Sequence, residues 1–145
     1  MSEIARRAAD VMWADDRASQ GLGMRIVEVG DGTATLAMAV REDMTNGHGM
    51  AHGGFIFTLA DSAFAFACNS SGQRAVASQC QVAYLRPAML GDTLTARAVE
   101  RFKEGRQGIT DVTITDSSGA VVAEFRGFSR TIPGSLFDTK DETNA

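Results

Sequence analysis

The fold is decided by the stretch that runs from residue 55 to residue 68, Phe55-Ile56-Phe57-Thr58-Leu59-Ala60-Asp61-Ser62-Ala63-Phe64-Ala65-Phe66-Ala67-Cys68. On a helix, apolar residues would occupy nearly every face of this stretch, which is typical of a helix surrounded by protein. Asp61 is its only acidic residue. An ionised carboxylate in apolar surroundings is costly unless it is paired, and such groups cluster at functional sites. We therefore expect a covered central helix and treat Asp61 as a candidate functional residue.

A glycine-rich loop leads directly into this helix and reads Asn46-Gly47-His48-Gly49-Met50-Ala51-His52-Gly53-Gly54. Gly53 and Gly54 allow a ligand to approach bare backbone where the helix begins. The first N–H groups of a helix have no intrahelical acceptors and lie at the positive end of its dipole. The loop and the helix together therefore predict an active site with an oxyanion hole at the helix N-terminus.

The segments on either side alternate between helical and strand-like patterns. Residues 4–19 have helical spacing, and residues 24–29 and 33–40 are predicted to form a hairpin. Four further strands are predicted at residues 75–85, 93–104, 107–116 and 120–132, with a polar tail at 133–145. Consecutive strands joined by short turns favour antiparallel pairing. We predict one α+β domain over residues 1–145, with a core at about 22–132 in which a curved antiparallel sheet wraps around the long helix.

Composition excludes several classes of function. The chain has 145 residues and a net charge of −4, whereas a general nucleic-acid binder needs a dominant basic face. No apolar run is long enough to span a bilayer, and the N-terminus lacks the apolar core of a signal peptide, so we expect a cytoplasmic protein with no membrane partner. Cys68 and Cys80 are expected to be reduced thiols. His48 and His52 are separated by a glycine-containing loop without other ligands nearby, and no metal site is expected.

Six short motifs resemble the hotdog-fold thioesterases of the PaaI type, which belong to the phenylacetate pathway. They are Met44-Thr45-Asn46-Gly47-His48, Ala51-His52-Gly53-Gly54, Leu59-Ala60-Asp61, Cys68-Asn69-Ser70, Leu85-Arg86-Pro87 and Gly91-Asp92-Thr93. The likeness extends over residues 22–130. It implies a hotdog fold, hydrolysis of aryl acyl-CoA thioesters, typically (hydroxy)phenylacetyl-CoA, and a homotetramer built from two dimers. Coenzyme A is then part of the substrate, and no separate cofactor is implied.

The spacing between Gly53 and Asp61 bears on assembly. Eight helical positions correspond to ~12 Å along the axis, so one thioester carbon cannot touch both residues of one chain. If both act together, Gly53 of one subunit must lie opposite Asp61 of another. Two central helices related by a two-fold axis would create two such sites per dimer. We therefore predict a homodimer with shared active sites.

Four residues are candidates for the chemistry itself. The Gly53 N–H is predicted to polarise the thioester carbonyl, and Asp61 to act as a general base or as a nucleophile that forms an anhydride. We expect a partner helix N-terminus and hydrogen bonds to lower the Asp61 pKa more than burial raises it. The Asn46 amide is predicted to hold water or the sulfur side of the substrate, with a turn formed by Asn46-Gly47 as the alternative. His52 either orients the loop or substrate, or is satisfied by backbone hydrogen bonds.

Five further residues are candidates for substrate binding. Gly54 would let the ligand reach the backbone, and Ser78 would position water if its strand face points at the site. Phe64 could line an aryl pocket, although aromatic residues on a buried helix more often belong to the core. Arg86 and Arg126, together with Arg130, are candidates for contacts with the nucleotide of coenzyme A.

Two other kinds of function remain open from the sequence. A hotdog dehydratase or hydratase that acts on enoyl thioesters would also pair a histidine with a carboxylate across a dimer interface, so His52 and Asp61 do not exclude it. The combination of Asn46 with the two glycines in this motif favours hydrolysis. A non-catalytic acyl-CoA-binding protein is the third reading. Release of thiol from an acyl-CoA distinguishes the thioesterase from both alternatives.

Overall fold

The computed structural model of the chain describes residues 2–137. Three α-helices and six strands follow one another in the predicted order, except that two helices stand where the sequence predicted one at 4–19. Their bounds are α1 (Glu3–Asp15), α2 (Arg17–Gly21), β1 (Arg25–Gly30), β2 (Thr33–Ala39), α3 (Gly53–Cys68), β3 (Gln73–Tyr84), β4 (Thr93–Glu104), β5 (Gln107–Thr115) and β6 (Val121–Ser135). A single 3₁₀ turn at Glu42–Met44 precedes the glycine-rich loop.

The six strands form one antiparallel sheet in the order β1-β2-β4-β5-β6-β3. Helix α3 contacts all six strands, which a straight helix can do only if the sheet curves around it. The predicted α+β architecture, a curved antiparallel sheet around a long central helix, is therefore confirmed.

The core lies between α3 and the inner face of the sheet. Strand β5 alternates strictly, with Val112 and Ile114 fully buried and the residues between them partly exposed, as expected for a strand with one covered face. From the helix, Leu59 and Ala63 pack against this face without exposed surface. Burying this apolar area is the main favourable contribution to folding.

One stripe of α3 is not covered, contrary to the expectation of a helix surrounded on nearly every face. Gly54 is exposed, and Thr58, Asp61 and Ala65 are only half-buried. These residues are spaced by four, three and four positions and therefore lie on one face of the helix. The sheet wraps the other faces and leaves this stripe, which carries Asp61, open in the protomer.

Strand β3 forms one edge of the sheet and pairs only with β6. It is 12 residues long, and most of its residues are exposed, including Val76 at 47% and Tyr84 at 50%. A long edge strand with unpaired backbone groups and exposed apolar side chains is a template for pairing with another strand.

Two predicted boundaries differ from the structure. The helix predicted at 4–19 is broken at Asp16, because the Asp16 carboxylate accepts a 3.0 Å hydrogen bond from the Ser19 N–H and so caps a new helix, α2. The tail predicted from 133 begins later, since β6 continues to Ser135. The part of that tail from 138 to 145 lies outside the described residues. No helix within residues 2–137 is long and apolar enough to cross a membrane.

Candidate active site

The glycine-rich loop is held in place by backbone hydrogen bonds at both ends. The Asn46 N–H donates to the Met50 carbonyl at 2.8 Å, and the His52 N–H donates to the Met44 carbonyl at 2.8 Å. Ala51 donates to the carbonyl of Ala88 at 2.8 Å, in the segment that follows β3. The start of α3 is thus fixed against the end of β3.

Asn46 closes this loop with its side-chain oxygen. Its Oδ1 accepts hydrogen bonds from the His48 N–H at 2.8 Å and the Met50 N–H at 3.4 Å. The turn role that the sequence left open is therefore present. Within residues 2–137 the Nδ2 group donates to no protein acceptor, and a donor remains for a ligand.

The N-terminus of α3 is uncapped, unlike those of the other two helices. Ser2 caps α1 and Asp16 caps α2 through their side chains, whereas His52 in the corresponding position of α3 makes no side-chain cap. Among the described residues, the N–H groups of Gly53 and Gly54 donate to no protein atom. Two amide donors at the positive end of the α3 dipole are therefore available to an oxygen atom.

A cavity of about 530 Å³ lies against this helix start. It brings together three of the predicted residues, Asn46, Gly53 and Arg86. Its remaining lining residues are Met50, Ala51, Ile56, Tyr84, Leu85, Pro87 and Ala88. The cavity combines apolar walls with a few polar groups, as small-molecule sites do.

Tyr84 was not singled out from the sequence, although it directly precedes the Leu85-Arg86-Pro87 motif. Its hydroxyl donates a 2.9 Å hydrogen bond to the Gly53 carbonyl. The signal that could have identified it is its position at the end of a strand, next to a motif already assigned to the site. Arg86 also lines this cavity, and its Nε donates to the Val121 carbonyl at 2.9 Å.

Asp61 lies two turns further along α3, on the open stripe and ~12 Å from Gly53 along the helix axis. Burial raises the pKa of the Asp61 carboxyl, and the negative charge of Asp16 raises it further. Within residues 2–137 no group hydrogen-bonds the carboxylate, so the expected net lowering of its pKa does not occur in the protomer.

A short polar network lies beside Asp61. The Ser19 hydroxyl donates to the second Asp16 carboxylate oxygen at 2.7 Å and lies 2.8 Å from the Ser62 hydroxyl. Ser19 and Ser62 are both buried. The network ties the junction of α1 and α2 to the helical position next to Asp61 and fixes where the Asp16 charge lies.

The structure does not bring Phe64 or Arg126 to the cavity beside Gly53. Phe64 is 1% exposed and packs against Phe125 at 5.7 Å between ring centroids, which places it in the core. Arg126 makes two hydrogen bonds, of 2.6 and 2.8 Å, with Asp111 and lines a separate groove on the sheet. Neither side chain faces the cavity in the protomer.

Ser78, in the middle of β3, and His52, directly before α3, are both exposed. Ser78 lies at an irregularity in the pairing of β3 with β6, and its hydroxyl donates to the Phe128 carbonyl at 3.0 Å. His52 is exposed, and its ring makes no hydrogen bond to a described residue, whereas its backbone joins the loop to α3. The alternative of a ring satisfied by backbone hydrogen bonds is thus not seen within residues 2–137, and the role of the His52 ring in orienting the loop or the substrate stays a prediction.

The other reactive side chains form no second centre. No group of three or more His, Cys, Asp or Glu residues within 2–137 is arranged to hold a metal ion. Cys68 and Cys80 are free thiols, and burial raises the pKa of Cys68 to about 12. Cys68 is therefore uncharged at neutral pH and is not a nucleophile there.

The sequence and its relatives define the family. A model of the thioesterase superfamily matches residues 48–123. The acyl-coenzyme A thioesterase PaaI of Escherichia coli (strain K12) is 43% identical over 136 residues, which cover 94% of this chain and 97% of that protein. The chain belongs to the thioesterase superfamily.

Solved structures identify the type within this family. The E. coli PaaI protein from the phenylacetic acid degradation operon superposes with a TM-score of 0.91 at 43% identity and covers 92% of this chain and 97% of its own. A Streptococcus mutans protein bound to acetyl CoA has a TM-score of 0.74 at 28% identity, covering 77% and 90%. The predicted PaaI-type hotdog fold and the assignment as a thioester-hydrolysing enzyme are confirmed.

Proposed function

We propose that the protein hydrolyses aryl acyl-CoA thioesters, with (hydroxy)phenylacetyl-CoA as the preferred class, to the free acid and coenzyme A. The observation that carries the proposal is the uncapped start of α3, where two glycine N–H groups lie free beside a cavity. The E. coli relative is an acyl-coenzyme A thioesterase, and the S. mutans structure holds acetyl CoA. Both support a coenzyme A thioester as the substrate.

In this proposal the Gly53 N–H donates to the thioester carbonyl oxygen. Negative charge develops on this oxygen when the carbonyl carbon is attacked, so a fixed donor stabilises the transition state more than the substrate. The free Gly54 N–H and the positive helix end act in the same direction. The free Asn46 Nδ2 is placed to donate to the attacking water or to the sulfur side of the thioester.

Asp61 supplies the second half of the reaction. Its ionised carboxylate either takes a proton from water, which attacks the carbonyl carbon, or attacks that carbon itself and displaces the coenzyme A thiolate. In the second route water then opens the anhydride and restores the carboxylate. Both routes need the charged form, and the raised pKa of Asp61 therefore sets the acid limb of activity.

The Asp61 that serves a given Gly53 comes from a second copy of the chain. The ~12 Å between the two residues along α3 separates them within one protomer. The open stripe of Gly54, Thr58, Asp61 and Ala65 is a surface that a second α3 would cover. The exposed edge of β3 offers a second strand the backbone partners for a continuous sheet. A two-fold arrangement then yields two equivalent shared sites.

The proposal also covers the tetramer and the residues that would contact the aryl group and the coenzyme A phosphates. Two such dimers would form the tetramer that the family resemblance implies. The apolar walls formed by Met50, Ile56 and Leu85 suit an aryl group. Arg86 is exposed at the cavity and is the best-placed cation for the phosphates of coenzyme A, whereas Arg126 is held by Asp111. Ser78 remains a proposal for orienting water.

The test is thiol release from a panel of phenylacetyl-CoA, its ring-hydroxylated forms and straight-chain acyl-CoAs. We expect faster turnover of the aryl thioesters, and a loss of ~10²- to 10⁴-fold in the isosteric variant Asp61→Asn. The matched control is Asp111→Asn, which removes a carboxylate from the sheet surface away from the cavity. Faster straight-chain turnover would contradict the aryl preference. Hydration of an enoyl-CoA, or tight binding, without thiol release would contradict hydrolysis.

A further inference from the structure

Tyr84 links the edge of the sheet to the first residue of α3. It is the last residue of β3, and its hydroxyl donates to the carbonyl of Gly53, 31 positions earlier in the chain, at 2.9 Å. Among the described residues, this is the only side-chain hydrogen bond that another element makes to the backbone of residues 52–54. It therefore constrains the peptide unit that joins the two glycines.

The Tyr84 ring also occupies the space where a side chain on Gly53 would lie. A Cβ atom at Gly53 would be 2.9 Å from Cζ, 3.1 Å from the hydroxyl oxygen and 3.2 Å from Cε1 of Tyr84. A Cβ atom at Gly54 would meet nothing within 4 Å. A side chain at position 53 would therefore have to displace the tyrosine ring, whereas one at position 54 would meet open space.

This contact lies at a point where the backbone is held by few other interactions. Two successive glycines have high conformational freedom, and the N-terminus of α3 has no side-chain cap. An oxyanion donor must stay ~3 Å from the carbonyl oxygen of the substrate to be effective. A displacement of 1 Å in such a group can cost ~10²-fold in rate. A contact from outside the helix would steady these donors, and Tyr84 makes such a contact with the Gly53 carbonyl.

We infer that Tyr84 is a positioning residue for Gly53. It holds the peptide unit that carries the Gly54 N–H through its hydrogen bond to the Gly53 carbonyl, and it restrains Gly53, and with it the Gly53 N–H, through a ring that fills the space where a Gly53 Cβ would lie. The inference rests on the proposed role of Gly53 in polarising the thioester. Tyr84 also ties Gly53 to β3, the strand whose free edge faces a second copy in the proposed dimer. Formation of the dimer and placement of the donor are thereby coupled through one side chain.

The first test removes only the hydroxyl. In Tyr84→Phe we expect kcat for thiol release to fall about tenfold while KM changes less than about twofold, because ground-state binding through the cavity walls is kept. The control Thr113→Val removes a hydroxyl hydrogen bond to Glu124 on the exposed sheet and leaves both constants unchanged. A rise in KM at unchanged kcat would overturn the inference and assign Tyr84 to direct substrate contact.

A readout without turnover separates this inference from the proposed reaction. Backbone order parameters of Gly53 and Gly54, measured by ¹⁵N relaxation, should fall in Tyr84→Phe and remain unchanged in Thr113→Val. This result is expected whatever the substrate is. Unchanged order parameters at both glycines would overturn the positioning role even if activity fell, whereas lower order parameters in an enzyme that releases no thiol would leave it intact and contradict only the proposed reaction.

A double-mutant cycle tests the ring contact. Gly53→Ala keeps the N–H but brings its Cβ against Tyr84, so it should lower kcat strongly in the wild-type background. In a Tyr84→Ala background the added methyl meets free space, and Gly53→Ala should then lower kcat at least fivefold less. Equal losses in the two backgrounds would show that the residues act independently and would overturn the inference.

Discussion

The two ends of α3 are built in opposite ways. At the C-terminal end, the buried Asn69 side chain donates to the carbonyls of Ala65 at 2.9 Å and Ala75 at 3.2 Å and accepts from the Ala75 N–H at 2.9 Å. At the N-terminal end, His52 is exposed and caps nothing. The C-terminal end is closed by side-chain hydrogen bonds, which stabilise the fold. The N-terminal end is open, because its N–H donors have no protein partner and can bind a ligand.

The difference between the two ends also separates, along one helix, the residues that stabilise the fold from those proposed to act on the substrate. In the proposed mechanism the donors at the open end act with a carboxylate, and the carboxylate of the same helix lies too far along the axis. The uncovered stripe would place Asp61 where a second subunit in the proposed dimer can reach it. The helix would then contribute to two half-sites, and variants at its two ends should affect different properties of the protein.

The largest effect is expected from mixing two inactive chains. Asp61→Asn removes the carboxylate, and Gly53→Pro removes the N–H at the first helical position, where proline is otherwise tolerated. Each homodimer should lose ~10²- to 10⁴-fold in rate. The heterodimer has one site with both native groups, so its thiol release should recover to about half of the wild-type rate. Differential tags and tandem purification isolate the mixed species for this assay.

Two controls make the mixing result specific. Gly53→Ala keeps the N–H and makes the same contact with the Tyr84 ring, so its comparison with Gly53→Pro isolates the donor from the steric effect. A heterodimer of two differently tagged Asp61→Asn chains should stay inactive. Verified Asp61→Asn and Gly53→Pro heterodimers that remain as inactive as their parents would show that the two half-sites are not shared.

The sequence was sufficient for the elements and their order, because period-two strands and a long apolar helix are local patterns. It predicted Gly53 and Asn46 correctly as neighbours, since both belong to one short loop. It could not place Phe64, because an aromatic residue on an apolar helix has the same pattern in a core and in a pocket. The contact between Tyr84 and Gly53 joins residues 31 positions apart and depends on how β3 meets α3, which no local pattern encodes.

The helix break at Asp16 illustrates the same limit. The periodicity of residues 4–19 fits one helix, and Asp16 alone gives no reason to end it. The break is explained by hydrogen bonds that also involve Ser19 and Ser62, the last of which belongs to a different helix. The cap itself is local, and the tertiary contact between Ser62 and Ser19 holds the capping carboxylate near Asp61.

The next effect concerns stability and compares the two ends of α3 directly. Asn69→Ala removes three hydrogen bonds between the side chain and the backbone, and a longer one to Cys68 Sγ, at a buried position, and should lower the free energy of unfolding by about 3 kcal/mol. His52→Ala removes no cap and should change it by less than about 0.5 kcal/mol. Chemical denaturation of both variants measures the difference. Similar losses would mean that His52 has a capping role after all.

Asn69→Asp sharpens the result at the closed end. It keeps the oxygen that accepts from the Ala75 N–H and loses the two donated hydrogen bonds. However, its new carboxylate oxygen would face the Ala65 and Ala75 carbonyls at the negative end of the α3 dipole, so the stability of Asn69→Asp should be no greater than that of Asn69→Ala. A variant as stable as wild type would show that the donated bonds contribute little to closing the helix.

The smallest effect concerns the charge that the Asp16 network places near Asp61. Asp16 raises the Asp61 pKa after burial, because an ionised Asp61 is repelled by a second negative charge. Asp16→Asn removes the charge and keeps a side-chain oxygen for the α2 cap, so the Asp61 pKa should fall. Since the ionised form is the active one in the proposed mechanism, the acid limb of the kcat profile should move to lower pH. Asp15→Asn, on an exposed side chain next in the chain, is the matched control and should leave the limb in place. If the acid limb moved to higher pH, or moved equally in both variants, the charge of Asp16 would not raise the Asp61 pKa. Burial alone would then account for the raised pKa of Asp61.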